Sequence, residues 1–158
     1  MAINQLSKKD IRKYLDILLK YGFSDVPSKI KRGYEVILKG GSLIYLESQP
    51  VLVKRNNYII PFIGIAEKCN LKKVLVDRGA VKPITNGADI MAPGIVRYEN
   101  FKNGDVVSVL LEDVGTIIAI GVALINSEKL KEMKKGKVIK NLHYLSDVFW
   151  SNAKTRKV

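Results

Sequence analysis

Residues 74–96 read VLVDRGAVKPITNGADIMAPGIV. The stretch opens on a short apolar run, Val74-Leu75-Val76, and closes on another, Gly94-Ile95-Val96. Between them stand Asp77, Gly79, Pro83, the pair Asn86-Gly87, Asp89 and Pro93. Glycine opens backbone angles closed to other residues and lets another chain approach closely. Proline fixes its own backbone and removes a hydrogen-bond donor. Punctuation this dense between two strand-like runs predicts a shaped backbone surface. The expected order is a strand over 73–77, a short helix over 80–85 ending at Asn86-Gly87, and a strand over 88–98 bent at Pro93-Gly94.

Downstream, short apolar runs and turns alternate. Asn103-Gly104-Asp105 predicts a turn, 106–111 a strand, and Val114-Gly115 another turn. Residues 116–125 form a long β-branched run interrupted by Gly121, which suits a bulge or a barrel bend. Residues 127–133 read as a helix with Ser127 at its N-cap. The basic turn Lys134-Lys135-Gly136-Lys137 leads to a strand over 138–145. A last helix or turn starts at 146–150, and 152–158 reads as a frayed basic tail. Several short strands with frequent glycine turns suggest a small closed or nearly closed barrel.

Upstream, the pattern is different. Ser7 is the expected N-cap of a helix over 7–21, with Asp10 three residues on. Ile11, Tyr14, Leu15 and Leu18 fall at i, i+3, i+4 and i+7, one apolar stripe. Gly22 is the expected stop. Lys8, Lys9, Arg12, Lys13 and Lys20 lie outside that stripe and read as an exposed face, with a direct RNA role the minority alternative. Strands follow at 34–38, 42–46, 50–54 and 58–63, the last two joined by the hairpin turn Arg55-Asn56-Asn57. Residues 64–71 read as a short connector. The chain therefore divides into an α+β domain over 1–71 and a mostly β domain with short helices over 72–158, the latter ending in a basic tail.

The 158 residues carry 27 Lys plus Arg against 15 Asp plus Glu, a formal charge of +12. With 47% hydrophobic and 27% charged residues the composition is that of a globular protein with a packed core. The excess charge favours polyanions, nucleic acid first and anionic membrane second. Split at residue 71, it is shared about equally between the two domains. One cysteine, Cys69, forms no internal disulfide, and one histidine, His143, leaves no zinc cluster. The N-terminus has no apolar signal core, and no run approaches the roughly 20 apolar residues of a membrane span. A soluble, cytoplasmic chain is expected.

Catalytic constellations are poor. His143 alone supplies no triad, and a structural or RNA-facing role is expected for it. Asp77 and Asp89 are expected to accept backbone donors in turns. Gly79 to Gly94 matches neither the dinucleotide fingerprint nor the P-loop. An enzyme, a metal and a cofactor are not expected. A glycine-opened backbone flanked by cations instead suits phosphates. The candidate RNA contacts are Arg78, Lys82, Gly87, Ala88, Met91, Lys135, Lys137, His143 and Tyr144, with a core role weighed more heavily for Met91. The lysines over 129–140, diluted by Glu128 and Glu132, read equally as a solvated face or as a phosphate contact.

The pattern V-D-x-G-A-V-K followed by N-G-A-D-I-M-A-P-G-I resembles the opening of a PUA domain, an RNA-binding fold of RNA-modifying enzymes and some translation factors. Residues 136–147, GKVIKNLHYLSD, with Trp150 nearby, resemble the far end of that domain in the malignant-T-cell-amplified group of translation factors, particularly its archaeal members. The N-terminal helix and small sheet look like the group's pre-PUA domain. Pro83, Val138 and Lys140 depart from the expected pattern. The resemblance implies a six-stranded pseudobarrel and RNA binding without catalysis. It further implies tRNA and rRNA as ligands, the small ribosomal subunit as a site of action near the tRNA acceptor end, and a protein partner with an initiation-factor-like domain. A specificity module for a tRNA- or rRNA-modifying enzyme is the alternative.

Overall fold

The structure, a computed structural model, describes residues 1–155. It divides into two compact units, Met1–Asn70 with Val148–Val158, and Leu71–Asp147. In the first unit, β1 (Ala2–Gln5) leads into α1 (Lys8–Lys20), followed by β2 (Gly33–Leu38), β3 (Gly41–Leu46), β4 (Gln49–Arg55) and β5 (Tyr58–Pro61). The five strands form an antiparallel sheet in the order β1-β2-β3-β4-β5. The Ser7 hydroxyl accepts the Asp10 N–H at 3.1 Å, so one orphan donor of α1 is satisfied as its sequence predicts. Ile11, Tyr14 and Leu18 are buried. Their burial contributes roughly 2 kcal/mol each to stability. Asn56 and Asn57 both take positive φ, the backbone of a tight hairpin between twisted strands. β1 has no counterpart in the sequence reading: all four of its residues are exposed, and it pairs with the edge of β2.

The second unit contains β6 (Lys72–Val76), α2 (Val81–Ile84), β7 (Ile90–Met91), β8 (Ile95–Tyr98), β9 (Val106–Leu111), β10 (Ile117–Ala123) and β11 (Lys137–Tyr144). Its mixed sheet has the order β7-β11-β10-β9-β6-β8, with β6 and β9 parallel. The single bent strand expected over 88–98 is two strands on opposite margins of this sheet. They are joined by a 3-10 turn, Ala92–Gly94. Proline and glycine there stop the ladder, and linking the two margins covalently curls the sheet on itself. Inside lie Val74, Val76, Ile90, Val109, Ile118 and Ile139. Gly121 sits at the expected bulge, where the register of β10 against β11 shifts. A Cβ there would overlap the Lys140 carbonyl oxygen. The helix expected over 127–133 is a 3-10 segment, Ser127–Glu132. Ser127 does not cap it: the hydroxyl is buried and accepts the Phe101 N–H at 3.0 Å instead.

The last element, α3 (Val148–Thr155), belongs to the first unit and not to the second, where the sequence reading put it. Phe149 is buried, and Trp150 stacks on Phe62 with ring centroids 6.2 Å apart. These aromatics hold residues 152–155 in a helix, where a frayed tail was expected. The remainder of that tail lies outside the described residues.

Candidate nucleic-acid interface

The quoted stretch lines a groove of about 290 Å³, from Asp77 at one end to Gly94 at the other. At the end of β6 the Asp77 carboxylate accepts the Ala80 N–H at 3.1 Å and starts a 3-10 turn that runs into α2. Pro83 falls within the first turn of α2, the place where a helix tolerates proline. Thr85 and Asn86 donate backbone N–H groups to Val81 and Pro83 carbonyls and close the helix. Gly87 then takes φ +97°, a conformation that side chains rarely adopt. A Cβ at Gly87 would lie 3.2 Å from the Tyr144 hydroxyl, so the loop rests on the end of β11.

Asn141 of β11 clamps the same loop. Its side-chain amide donates to the carbonyls of Ile84 at 3.0 Å and Ala88 at 2.9 Å. Its backbone N–H donates to Asp89 Oδ1 at 2.9 Å. The other Asp89 oxygen receives Lys137 Nζ at 3.2 Å. Both aspartates thus accept from the backbone, Asp77 within its own turn as expected and Asp89 from strand β11 rather than from a turn. Asn141 was missed by sequence reasoning. The available signal was an amide side chain inside an otherwise apolar strand, which must find partners when buried.

Pro83, Ala80, Met91 and Pro93 give the groove apolar walls, and Asp77 and Asp89 contribute polar edges. Met91 is 43% exposed, which overturns the core role weighed for it: β7 is two residues long, and alternation turns Ile90 inward and Met91 outward. Lys137 is the Cα partner of Met91 across β7 and β11. Lys82 is exposed on α2, and Ala88 is exposed beside Gly87. Tyr144 is half-buried. Of these residues Met91 lines the groove, Lys137 stands beside it through its partners Met91 and Asp89, and Gly87 lies against Tyr144 at the end of β11.

Three predicted contacts stand apart. His143 is 0% exposed, with Nδ1 2.7 Å from Asp147 Oδ2, so the RNA-facing reading gives way to the structural one. Asp147 also accepts the Tyr144 N–H at 2.9 Å, and the pair fixes the end of β11. Arg78 is exposed next to the groove and pairs with Asp113 at 2.5 Å. Lys135 is exposed in the turn before β11. Among the described residues no cluster of three or more metal-ligating side chains occurs. The strongly displaced acids lie elsewhere, in the first unit. Burial pushes the Cys69 thiol up to about 11, and burial followed by the nearby Cys69 charge pushes Tyr21 up to about 12.

The family model for the PUA domain matches residues 72–145. Over 152 residues the chain is 40% identical to the uncharacterized protein MJ1432 of Methanocaldococcus jannaschii, covering 92% of this chain and 93% of that protein. It is 36% identical over 99 residues to translation machinery-associated protein 20 of Schizosaccharomyces pombe, covering 58% of this chain and 55% of that one. Malignant T-cell-amplified sequence 1 of Rattus norvegicus is 29% identical over 136 residues, with 78% and 70% covered. Among solved structures, a PUA domain from Aeropyrum pernix K1, determined as a tartrate complex, superposes with a TM-score of 0.79 at 28% identity, covering 97% of this chain and 91% of that chain.

Proposed function

The chain belongs to the PUA-domain family, and from that premise we propose that it is a non-enzymatic RNA-binding protein of the translation apparatus. Its second unit receives the unpaired acceptor end of tRNA in the groove beside α2, while the protein acts on the small ribosomal subunit. The observation that carries this reading is the groove itself, with apolar walls for a base, and with the exposed Lys82 next in sequence to its lining residue Pro83 and the exposed Lys137 paired with its lining residue Asp89 as cations for phosphates. The relative named for the translation machinery supports the setting. An initiation-factor-like protein is the proposed partner, and the cytoplasm the proposed location.

The test compares tRNA with tRNA trimmed of its unpaired 3′ nucleotides, in binding titrations at several salt concentrations. Trimming is expected to weaken binding at least tenfold, since each stacked base contributes about 1–3 kcal/mol. Equal affinity for the two would sink the groove assignment. Co-sedimentation with small subunits and crosslinking in cells address the setting. Crosslinks confined to one modified RNA position would replace the translation reading with that of a specificity module for a modifying enzyme.

A further inference from the structure

The exposed side of α1 is built against the stability of its own helix. Lys8, Lys9, Arg12, Lys13 and Lys20 are all exposed there. Lys8 and Arg12, and likewise Lys9 and Lys13, stand four residues apart, where like charges repel. Lys8 and Lys9 also occupy the first turn, at the positive end of the helix dipole. Among the described residues, none of the five forms an ion pair. Asp10 and Asp16 dilute the charge without pairing with it. Within the first unit Lys13 lies 5.5 Å from the Tyr14 ring centroid and Lys20 stands at the favourable last turn of the helix, whereas the crowding of Lys8, Lys9 and Arg12 at its positive end would be relieved by an external polyanion.

The chemistry of the face narrows the polyanion. Its aromatic residue, Tyr14, is 3% exposed and faces the core, so there is no platform on which an unpaired base could stack. Insertion into a membrane interface needs a free apolar face, and Ile11, Tyr14 and Leu18 are occupied within the unit. What remains is a rigid cationic rod of 13 residues, roughly 20 Å long, without a base-reading group. Double-stranded RNA is recognised through its phosphates and shape in this way.

We propose that the outer face of α1 is a second RNA contact, one that binds the phosphate backbone of a double-stranded stem. It rests on the RNA-binding reading for its ligand class and is independent of the groove. The test uses the full chain with Lys8, Lys9, Arg12 and Lys13 all changed to Gln. The probes are a blunt RNA duplex and the same duplex with an unpaired 3′ tail, titrated across a salt series. The variant is expected to bind the blunt duplex at least tenfold more weakly at low salt. Its slope of log affinity against log salt should shrink by up to about 3.6, from roughly 0.9 per lost phosphate contact. Its preference for the tailed duplex should persist, and its thermal melt should be no lower than that of the parent.

A folded variant with unchanged duplex affinity and slope overturns the proposal. So does a loss confined to anionic vesicles or to an acidic protein. A second variant with Lys8, Lys9 and Lys13 changed to Arg keeps the charge and should bind the duplex within about threefold of the parent. A larger loss there would refute a backbone contact. In a third variant, Met91→Glu, the tail preference should fall while blunt-duplex binding survives. Loss of blunt-duplex binding in that variant would show that α1 is not a separate surface. Absence of any tail preference in the parent would sink the groove reading alone.

Discussion

The two units differ in where their charge lies and in how their chains converge. Met1–Asn70 with Val148–Val158 carries 15 Lys plus Arg against 6 Asp plus Glu, a net +9, and Leu71–Asp147 carries 12 against 9, a net +3. Dividing the sequence at residue 71 hides this, because it credits the basic C-terminal segment to the second domain. The first unit is a meander in which β2 to β5 pair with their sequence neighbours. The second brings Met91 to Lys137 and Gly87 to Tyr144 across about 50 residues. The more basic unit presents an open face, and the less basic one presents a shaped groove. Attraction to a polyanion and discrimination among RNA ends are separable demands, and here they map to different parts of the chain.

The largest test of that separation is Gly121→Val. The new side chain meets the Lys140 carbonyl and Ile139 at the bulge, and the second unit should lose about 3 kcal/mol. Urea unfolding followed by amide exchange should show losses in β9, β10 and β11 and near-parental protection in β3 and β4. Uniform loss of protection would mean that the two units melt as one. Next is Asn141→Ala, which leaves the buried Ile84 carbonyl and the part-buried Ala88 carbonyl without their partner and should cost about 2 kcal/mol. RNA-end preference should fall with it. A stable variant whose preference is intact would remove Asn141 from the argument.

Met91→Glu should lower tRNA affinity about tenfold, equivalent to about 1.4 kcal/mol, without changing the melt, because Met91 is exposed. Alkaline titration probes the first unit. Cys69 and Tyr21 hold their protons above their ordinary values of 9.0 and 10.0. The folded state therefore binds more protons than the unfolded chain from about pH 9 to pH 12. Stability is complete below pH 9 and declines as pH rises through 11 and then 12. Thermal melts across this range check it, and a Cys69→Ala variant should lose the lower part of the decline. The smallest effect is Lys137→Ala. Its exposed pair with Asp89 should contribute less than about 1 kcal/mol, so a melt near parental is expected alongside weaker RNA binding.

Much of the fold was legible because it rests on local rules. The Ser7 cap, the apolar stripe of α1, the Asn56-Asn57 hairpin and the Gly121 bulge each follow from a few adjacent residues. Errors fell where a distant partner decides. The strand expected over 88–98 splits because Ile90 pairs with β11 and Ile95 with β6. Ser127 is drawn to Phe101, and Trp150 holds a helix by stacking on Phe62. The site was half legible: glycine and proline marked the groove, but the sequence left open which way Met91 and His143 face, and the heavier core weighting of Met91 was the wrong one.

The sequence by itself determined that this is a basic, α+β chain with a PUA domain, and it named the loop on which a groove would be built. Charge, capping and hydrophobic periodicity are properties of a residue and its near neighbours, so they can be read without coordinates. The tertiary structure alone decided which face each residue shows. Ile90 turns inward and Met91 outward, and His143 is buried against Asp147. It also placed the last helix with the first unit and so moved the balance of charge. Those outcomes depend on pairing between segments far apart in the chain, where register and burial are settled together.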